Sequence, residues 1–313
     1  MKNQIIEFYQ TMAAIRHFEE IAIELYKEGL LGGSYHSYVG QEAVATGVCS
    51  VLRREDYITT TYRGRGQHLA KGADPVRLFA EMLGRTGGYC RGKGGPMHIA
   101  DLETGILGAN GIVGAGVPIT AGAALSAQMS GDGRVAATFF GDGAMNQGVV
   151  SETFNLAALW NLPAVFICEN NLYAEMTPLR DSVKNQNLAE RAAAFGIKVE
   201  SVDGNDVEAV FQTTQSLVEH AREGGGPVFL EAKTYRLHGH MFGDSESYRT
   251  KEEVAEWRTR DPIQRCEKQL LKEISTDKLQ SINTEIRQRL EQAASKARKF
   301  PEPSAAEIET DVF

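Results

Sequence analysis

The sequence has little that would let one feature stand for the whole. Tryptophan occurs twice and cysteine four times in 313 residues. No two cysteines form a CxxC pair, and Cys49, Cys90, Cys168 and Cys266 lie far apart in the chain. That spacing argues against a disulfide framework or a thiolate zinc site, and reduced thiols in a cytoplasmic protein are the expectation. No run of 18 apolar residues occurs, so no membrane span is expected, and no leader peptide is read at the start. Basic residues are outnumbered, 33 Lys and Arg against 41 Asp and Glu, giving a net charge of −8. No basic stripe offsets this, which excludes nucleic acid as the natural partner. No G-x-G-x-x-G opens a helix after a strand. Residues 87–93 (GGYCRGK) approach a phosphate-binding G-x-x-x-x-G-K loop. Gly94 then replaces the hydroxyl residue that would bind Mg²⁺, so a nucleotide triphosphatase is excluded.

Glycine, by contrast, is plentiful. Thirty-two are present, mostly between residues 29 and 148, as expected of loops that approach a ligand closely. Apolar content of 42% supports one large α/β domain or two smaller ones. Residues 3–29 carry an amphipathic stripe (Ile5, Phe8, Met12, Ile15, Ile21, Leu25) and read as a helix. A short helix (Gln41–Leu52), a strand (Tyr57–Thr61) and a helix (75–83) follow. Residues 84–116 read mostly as a functional loop. Val117–Met129 has small side chains suited to close helix packing, including packing on a partner chain. Further on, Leu188–Phe195 reads as helix, Lys198–Val202 as strand, Asp206–Glu223 as helix and Pro227–Tyr235 as strand. Residues 239–250 read as a mobile polar loop before a helical tail over 251–258, 262–275 and 277–298.

The richest segment runs from Gly141 to Asn171, GDGAMNQGVVSETFNLAALWNLPAVFICENN, which spans 31 residues. That is the size of one strand–helix–strand unit. Val135–Phe140 and Ala164–Cys168 are apolar runs of buried-strand type, and Asn146–Trp160 has a helical apolar face. Parallel strands joined by a crossover helix point their carboxyl ends the same way, and ligands bind there. Asp142 and Asn171 should therefore meet. Hard oxygen ligands of that kind suit Mg²⁺ shared with a phosphate. Gly141, Gly143 and the start of the next helix suit the phosphate itself.

This segment resembles the thiamine-diphosphate fingerprint, GDG followed by NN about 30 residues later. More closely, the chain resembles the alpha subunit of the decarboxylating first component of 2-oxo acid dehydrogenase complexes, of pyruvate or acetoin dehydrogenase type. The similarity runs from the first helix to about Pro262 and includes GQEA (40–43), YRGRG (62–66), GKGGPMH (92–98), NGIVGAG (110–116), TYRLHGH (234–240) and SYRT (247–250).

The resemblance implies an α/β thiamine-diphosphate-binding fold, a parallel sheet flanked by helices, over residues 1–262, with a helical C-terminal extension over 263–313. It implies thiamine diphosphate and Mg²⁺ as cofactors. Asp142, Asn171 and the Tyr173 carbonyl would hold the metal. Tyr62, Arg63, Gly143, Ala144 and His240 would hold the cofactor, and the backbone of Gly111 and Val113 its aminopyrimidine ring. His36 and His240 would serve as the catalytic histidines, with His98 supporting its loop. Arg65 has no implied role, since histidine is frequent there. Met241 stands where mammalian-type relatives carry a phosphorylated serine, so that control is not expected. Residues 173–178 lean toward the acetoin type. In the family the glutamate that assists the cofactor comes from a beta subunit, and a chain of this length has no room for a second such domain. A beta partner in an α₂β₂ assembly is expected, with a lipoyl-bearing acyltransferase taking the acetyl unit from pyruvate or acetoin. A branched-chain 2-oxo acid enzyme and a carboligase using the same cofactor are the alternatives, and a scaffold that has lost activity is a third. It would need lost ligands, and none of the expected ones is missing.

Overall fold

A computed structural model describes residues 2–311. Apolar β-rich runs separated by amphipathic helices give six parallel strands in the order β2-β1-β3-β4-β8-β7. The first half comprises α1 (Lys2–Lys27), α2 (Glu42–Cys49), β1 (Tyr57–Thr61), α3 (Arg65–Ala70), α4 (Pro75–Met82), β2 (Ile106–Asn110), α5 (Gly116–Ser130) and β3 (Ala136–Gly141). Next come α6 (Gly148–Leu159), β4 (Ala164–Asn170), a small hairpin of β5 (Tyr173–Ala174) and β6 (Thr177–Pro178), α7 (Leu179–Ser182) and α8 (Leu188–Ala193). The chain ends with β7 (Lys198–Asp203), α9 (Val207–His220), β8 (Val228–Lys233), α10 (Lys251–Arg258), α11 (Pro262–Leu270) and α12 (Thr276–Ala297).

Both faces of the sheet are covered, which is why its central strands are nearly continuous apolar runs. One core joins the sheet to α1, α2, α4, α9, α11 and α12, with Phe18 stacked on Phe79 at 4.0 Å. The stripe Leu279, Ile282, Ile286 and Leu290 of α12 enters this same core. The other core lies under α5, α6 and α8, centred on Phe154, Phe166 and Phe229.

The chain leaves β1 for β2 on one side of the sheet and returns to β3 on the other, so a crevice opens above the carboxyl ends of β1 and β3. The register places the site. Gly141 pairs with Glu169, the last step of the β3–β4 ladder before Asp142 and Asn170.

Besides the β5–β6 hairpin and α7, two elements near the site were not read from the sequence. Residues 106–110 (ILGAN) form the edge strand β2, although glycine and asparagine interrupt the run. Residues 65–70 (RGQHLA) form α3 right after the Tyr62-Arg63 pair. The segment read as a mobile loop is also internally bonded. Asp244 accepts from the His240 N–H at 2.8 Å and from the Tyr248 hydroxyl at 2.8 Å, and Glu246 accepts from the Gly239 N–H at 3.0 Å.

The glycine-rich loop of residues 88–95 wraps a carboxylate of the chain itself. Glu81, fully buried, accepts the N–H groups of Cys90 (2.7 Å), Gly92 (2.9 Å), Gly94 (2.7 Å) and Gly95 (3.1 Å). Its nest of N–H donors, of the kind that binds phosphate elsewhere, is therefore filled from within. Glu81→Ala should release the loop. Limited trypsin digestion is expected to cut at Arg91 and Lys93 at least about ten-fold faster than in the native protein, since four part-buried donors lose their acceptor. Unchanged protection would show that the loop is held by other contacts.

Candidate active site

The crevice holds a cavity of about 270 Å³, walled by the strand ends at Thr60 and Thr61, Asn110, Gly141 and Glu169. Tyr62, Arg63, Val113, Gly143, Ala144, Asn171 and Tyr173, all singled out in the sequence, line it as well. Gln147, Glu169, Glu175 and Arg236 line it too, and the sequence reading missed them. For Arg236 a signal existed, because it lies inside the TYRLHGH stretch.

The β3–β4 register brings Asp142 and Asn171 side by side. With the Asn171 carboxamide oxygen turned inward, that oxygen lies 3.3 Å from Asp142 Oδ1 and 3.0 Å from the Tyr173 carbonyl. Its nitrogen then donates to Gln41 Oε1 at 3.0 Å. The other Asp142 oxygen, Oδ2, is buried without a partner. Burial raises the Asp142 carboxyl from the usual range to about 6. Three oxygens converging with no donor between them is an arrangement that a hard cation satisfies. Among the described residues no group of three His, Cys, Asp or Glu side chains could hold a metal, so this mixed set is the candidate. The hairpin that carries Tyr173 is bent to reach it. Leu172 (φ 70°) and Glu175 (φ 55°) both take left-handed conformations rare for such residues. Gly143 allows the approach, since a Cβ there would lie 2.5 Å from that of Ala174.

The sequence reading places the helix over Asn146–Trp160. The structure inserts a 3₁₀ turn, Asp142–Asn146, and α6 begins only at Gly148, with Gln147 as the cavity-lining residue before it.

Positive charge collects beside the oxygen cluster. Arg63 is buried and spends two N–H groups on the carbonyls of Ser37 (2.5 Å) and His240 (2.9 Å). Neither of these partners is a carboxylate, and burial followed by the nearness of Arg236 lowers it to about 10. Arg236 donates to His240 Nδ1 at 2.9 Å and to the Glu175 carbonyl at 2.8 Å, while its Nε is buried without a partner. Two buried guanidiniums next to a cavity, neither bonded to a carboxylate, invite an anion of high charge.

His36 and His240 do not line the cavity wall. They pack behind Tyr62, with ring centroids 4.8 Å apart and His36 4.5 Å from the Tyr62 ring. Burial, reinforced by Arg63, pushes His36 down to about 3 and His240 down to about 4, so both are neutral near pH 7. A guanidinium only donates, so His240 Nδ1 must accept from Arg236 and its proton sits on Nε2. His238 instead meets the Ser37 hydroxyl at 3.1 Å. Gly111 lies against His98, since a Cβ at Gly111 would come 2.9 Å from the His98 ring.

Arg65 is fully buried and well used. It donates to Glu19 at 3.0 Å, to the carbonyls of Tyr62 (3.1 Å) and Pro96 (3.0 Å), and to that of His36. A histidine at this position has too few N–H groups for that set. Glu19 also accepts from the Tyr35 hydroxyl at 2.5 Å and the Tyr38 N–H at 3.0 Å. The pair thus ties the His36 and Tyr62 segments to α1.

A family model described as dehydrogenase E1 component matches residues 10–306. The chain is 46% identical over 313 residues to the alpha subunit of acetoin:2,6-dichlorophenolindophenol oxidoreductase of Bacillus subtilis, covering 100% of this chain and 94% of that one. Its counterpart in Cupriavidus necator is 41% identical over 315 residues, with coverages of 100% and 95%. The pyruvate dehydrogenase E1 component subunit alpha of Rhizobium meliloti is 41% identical over 315 residues, with coverages of 100% and 90%.

The raised Asp142 carboxyl has a consequence for stability. Its folded value of about 6 exceeds the unfolded value, so the folded state holds the proton more tightly. The penalty for the buried anion is complete above pH 6 and fades as pH falls toward the ordinary carboxylate range. In the cofactor-free protein Asp142→Asn is therefore expected to raise the unfolding midpoint at pH 7.5, by the equivalent of about 2–3 kcal/mol. Thermal unfolding at pH 7.5 and pH 4 should show this gain shrinking at the lower pH. An equal midpoint at pH 7.5 would refute the assignment.

Proposed function

The chain belongs to the dehydrogenase E1 component family, and we propose that it is the alpha subunit of a thiamine-diphosphate-dependent enzyme that cleaves acetoin or pyruvate and passes the acetyl unit to a lipoyl carrier. The observation that carries this reading is a cavity lined by Asn171, Tyr173 and two guanidiniums without carboxylate partners (Arg63, Arg236), with buried Asp142 directly beneath that lining and its Oδ1 3.3 Å from the Asn171 oxygen. Oxygens of this type suit Mg²⁺, and the arginines suit a diphosphate. Thiamine diphosphate, when bound, supplies a thiazolium carbon that adds to a carbonyl and stabilises the negative charge left when the adjacent bond breaks.

Within that reading each residue has a task. Asp142, Asn171 and the Tyr173 carbonyl hold the metal. Tyr62, Arg63, Gly143 and Ala144 line the space for the diphosphate, and Arg236 adds charge there. Gly111 and Val113 offer backbone to the aminopyrimidine. His240, with its proton on Nε2, can donate to a developing oxyanion, and neutral His36 beside it can accept or relay a proton. The relatives' naming as alpha subunits implies a beta partner. We extend this to an α₂β₂ assembly in the cytoplasm, working with a lipoyl-bearing acyltransferase. The four free cysteines and the lack of any described helix able to cross a membrane are compatible with that setting. The acetoin reading is favoured over pyruvate by the character of residues 173–178.

Co-expression with the beta partner and titration of thiamine diphosphate with Mg²⁺ tests the assignment. The native pair is expected to bind, and Asp142→Ala to lose binding by at least about 100-fold, as removal of a direct metal ligand should. Retained binding in the variant would overturn it. Acetoin, pyruvate and a branched 2-oxo acid assayed side by side for acylation of a lipoyl domain then choose the substrate, and turnover without lipoyl would favour a carboligase.

A further inference from the structure

The Asn171 amide has two ways to satisfy its surroundings, and a buried neighbour decides between them. With oxygen inward it joins Asp142 Oδ1 and the Tyr173 carbonyl in an all-acceptor cluster, and its nitrogen needs an acceptor on the outer side. Gln41 Oε1 is that acceptor, at 3.0 Å. Turned over, the Asn171 nitrogen would donate to Asp142 Oδ1 and the Tyr173 carbonyl, and its oxygen would need a donor from Gln41. That second arrangement gives Asp142 Oδ1 and the Tyr173 carbonyl a donor without a cation and so closes the cluster to one, while Asp142 Oδ2 stays without a partner. Gln41 is fully buried at the start of α2, held by its backbone N–H to the Tyr38 carbonyl at 3.2 Å. In the oxygen-inward arrangement its own Nε2 is buried without a partner. What a cation would relieve in this arrangement is the convergence of three acceptor oxygens with no donor between them.

We propose that Gln41 is a positioning residue for the cation site: its side-chain carbonyl takes the Asn171 N–H and so turns the Asn171 oxygen toward a divalent cation. The proposal rests on the metal-site reading above. It deepens that reading by assigning Gln41 of the GQEA stretch, which touches neither cation nor cofactor, the task of orienting a ligand from outside. Residues that orient a ligand in this way commonly change metal affinity by 10- to 100-fold when removed.

The test is Mn²⁺ titration of the α–β complex with thiamine diphosphate, free Mn²⁺ being read by electron paramagnetic resonance. Q41E keeps the acceptor and should bind Mn²⁺ as tightly as the native protein, or more tightly. Q41L removes the acceptor and should bind about 10-fold or more weakly, and Q41M replaces it if Q41L does not assemble. Native-like binding by Q41L, or a loss in Q41E equal to that in Q41L, would overturn the role. D142A in the same titration separates the two ideas. If D142A still binds Mn²⁺ with native affinity, the metal site itself is wrong. If D142A loses binding while Q41L keeps it, only the Gln41 role fails.

Discussion

The register between β3 and β4 is the constraint on which the site depends. Gly141 opposite Glu169 lets both strands end at the same height, so Asp142 and Asn171 emerge as neighbours from positions 29 residues apart in sequence. A slip of one residue would turn one of the two away, because side chains alternate between faces. Register is strongly specified wherever a face is buried, and most so where both are. Here Phe166, Ile167 and Cys168 pack into two separate cores, above and below. The packing of helices remote from the cavity thus sets the distance between two oxygens within it.

The protein holds that cluster against its own electrostatics. The Asp142 carboxyl is driven up by burial, and Arg63 is driven down by burial and by Arg236. Anion and cations lie close, yet neither arginine bonds the carboxylate. Direct ion pairs would satisfy both and fill the space a ligand needs. Arg63 and Arg236 are instead tethered through backbone carbonyls, which hold their positions and leave their charge uncompensated. Paired charges lie farther out. Arg65 and Glu19 form a buried pair at 3.0 Å that grips the carbonyls of His36, Tyr62 and Pro96. The outer pair secures the loops, so the inner charges can remain available.

How far the sequence could be read follows from which interactions are local. The GDG–NN separation, the apolar strands and the helical tail are local patterns, and the observed elements lie within a few residues of them. The edge strand β2 was not legible, because ILGAN is only partly buried and pairs with β1 about 50 residues earlier. The short α3 lacks an apolar period and carries glycine, so only its tertiary setting makes it a helix. Arg65 had no visible role since its partner Glu19 lies 46 residues away. Gln41 was visible inside a motif, but its contact with Asn171 spans 130 residues. The glycine loop at residues 87–93 was legible only as an incomplete phosphate loop, with Gly94 in place of its hydroxyl residue. That its occupant would be Glu81 of the preceding helix was not.

The rim of the cavity is apolar and open. Ile112 is 72% exposed and Val113 46% exposed, on the loop that lines the opening. Ile119 and Met129 of α5 are also exposed, at 46% and 80%. Side chains of this size left bare beside charged, desolvated groups would let water reach the cavity. Water would screen the guanidiniums and weaken the hold on an anion. A covering surface over Ile112 and Val113 would remove that water and strengthen each electrostatic contact inside. The beta partner proposed above would do this. Assembly and cofactor affinity would then be one property, because the charges gathered at β3 and β4 reach full strength only once the rim is closed.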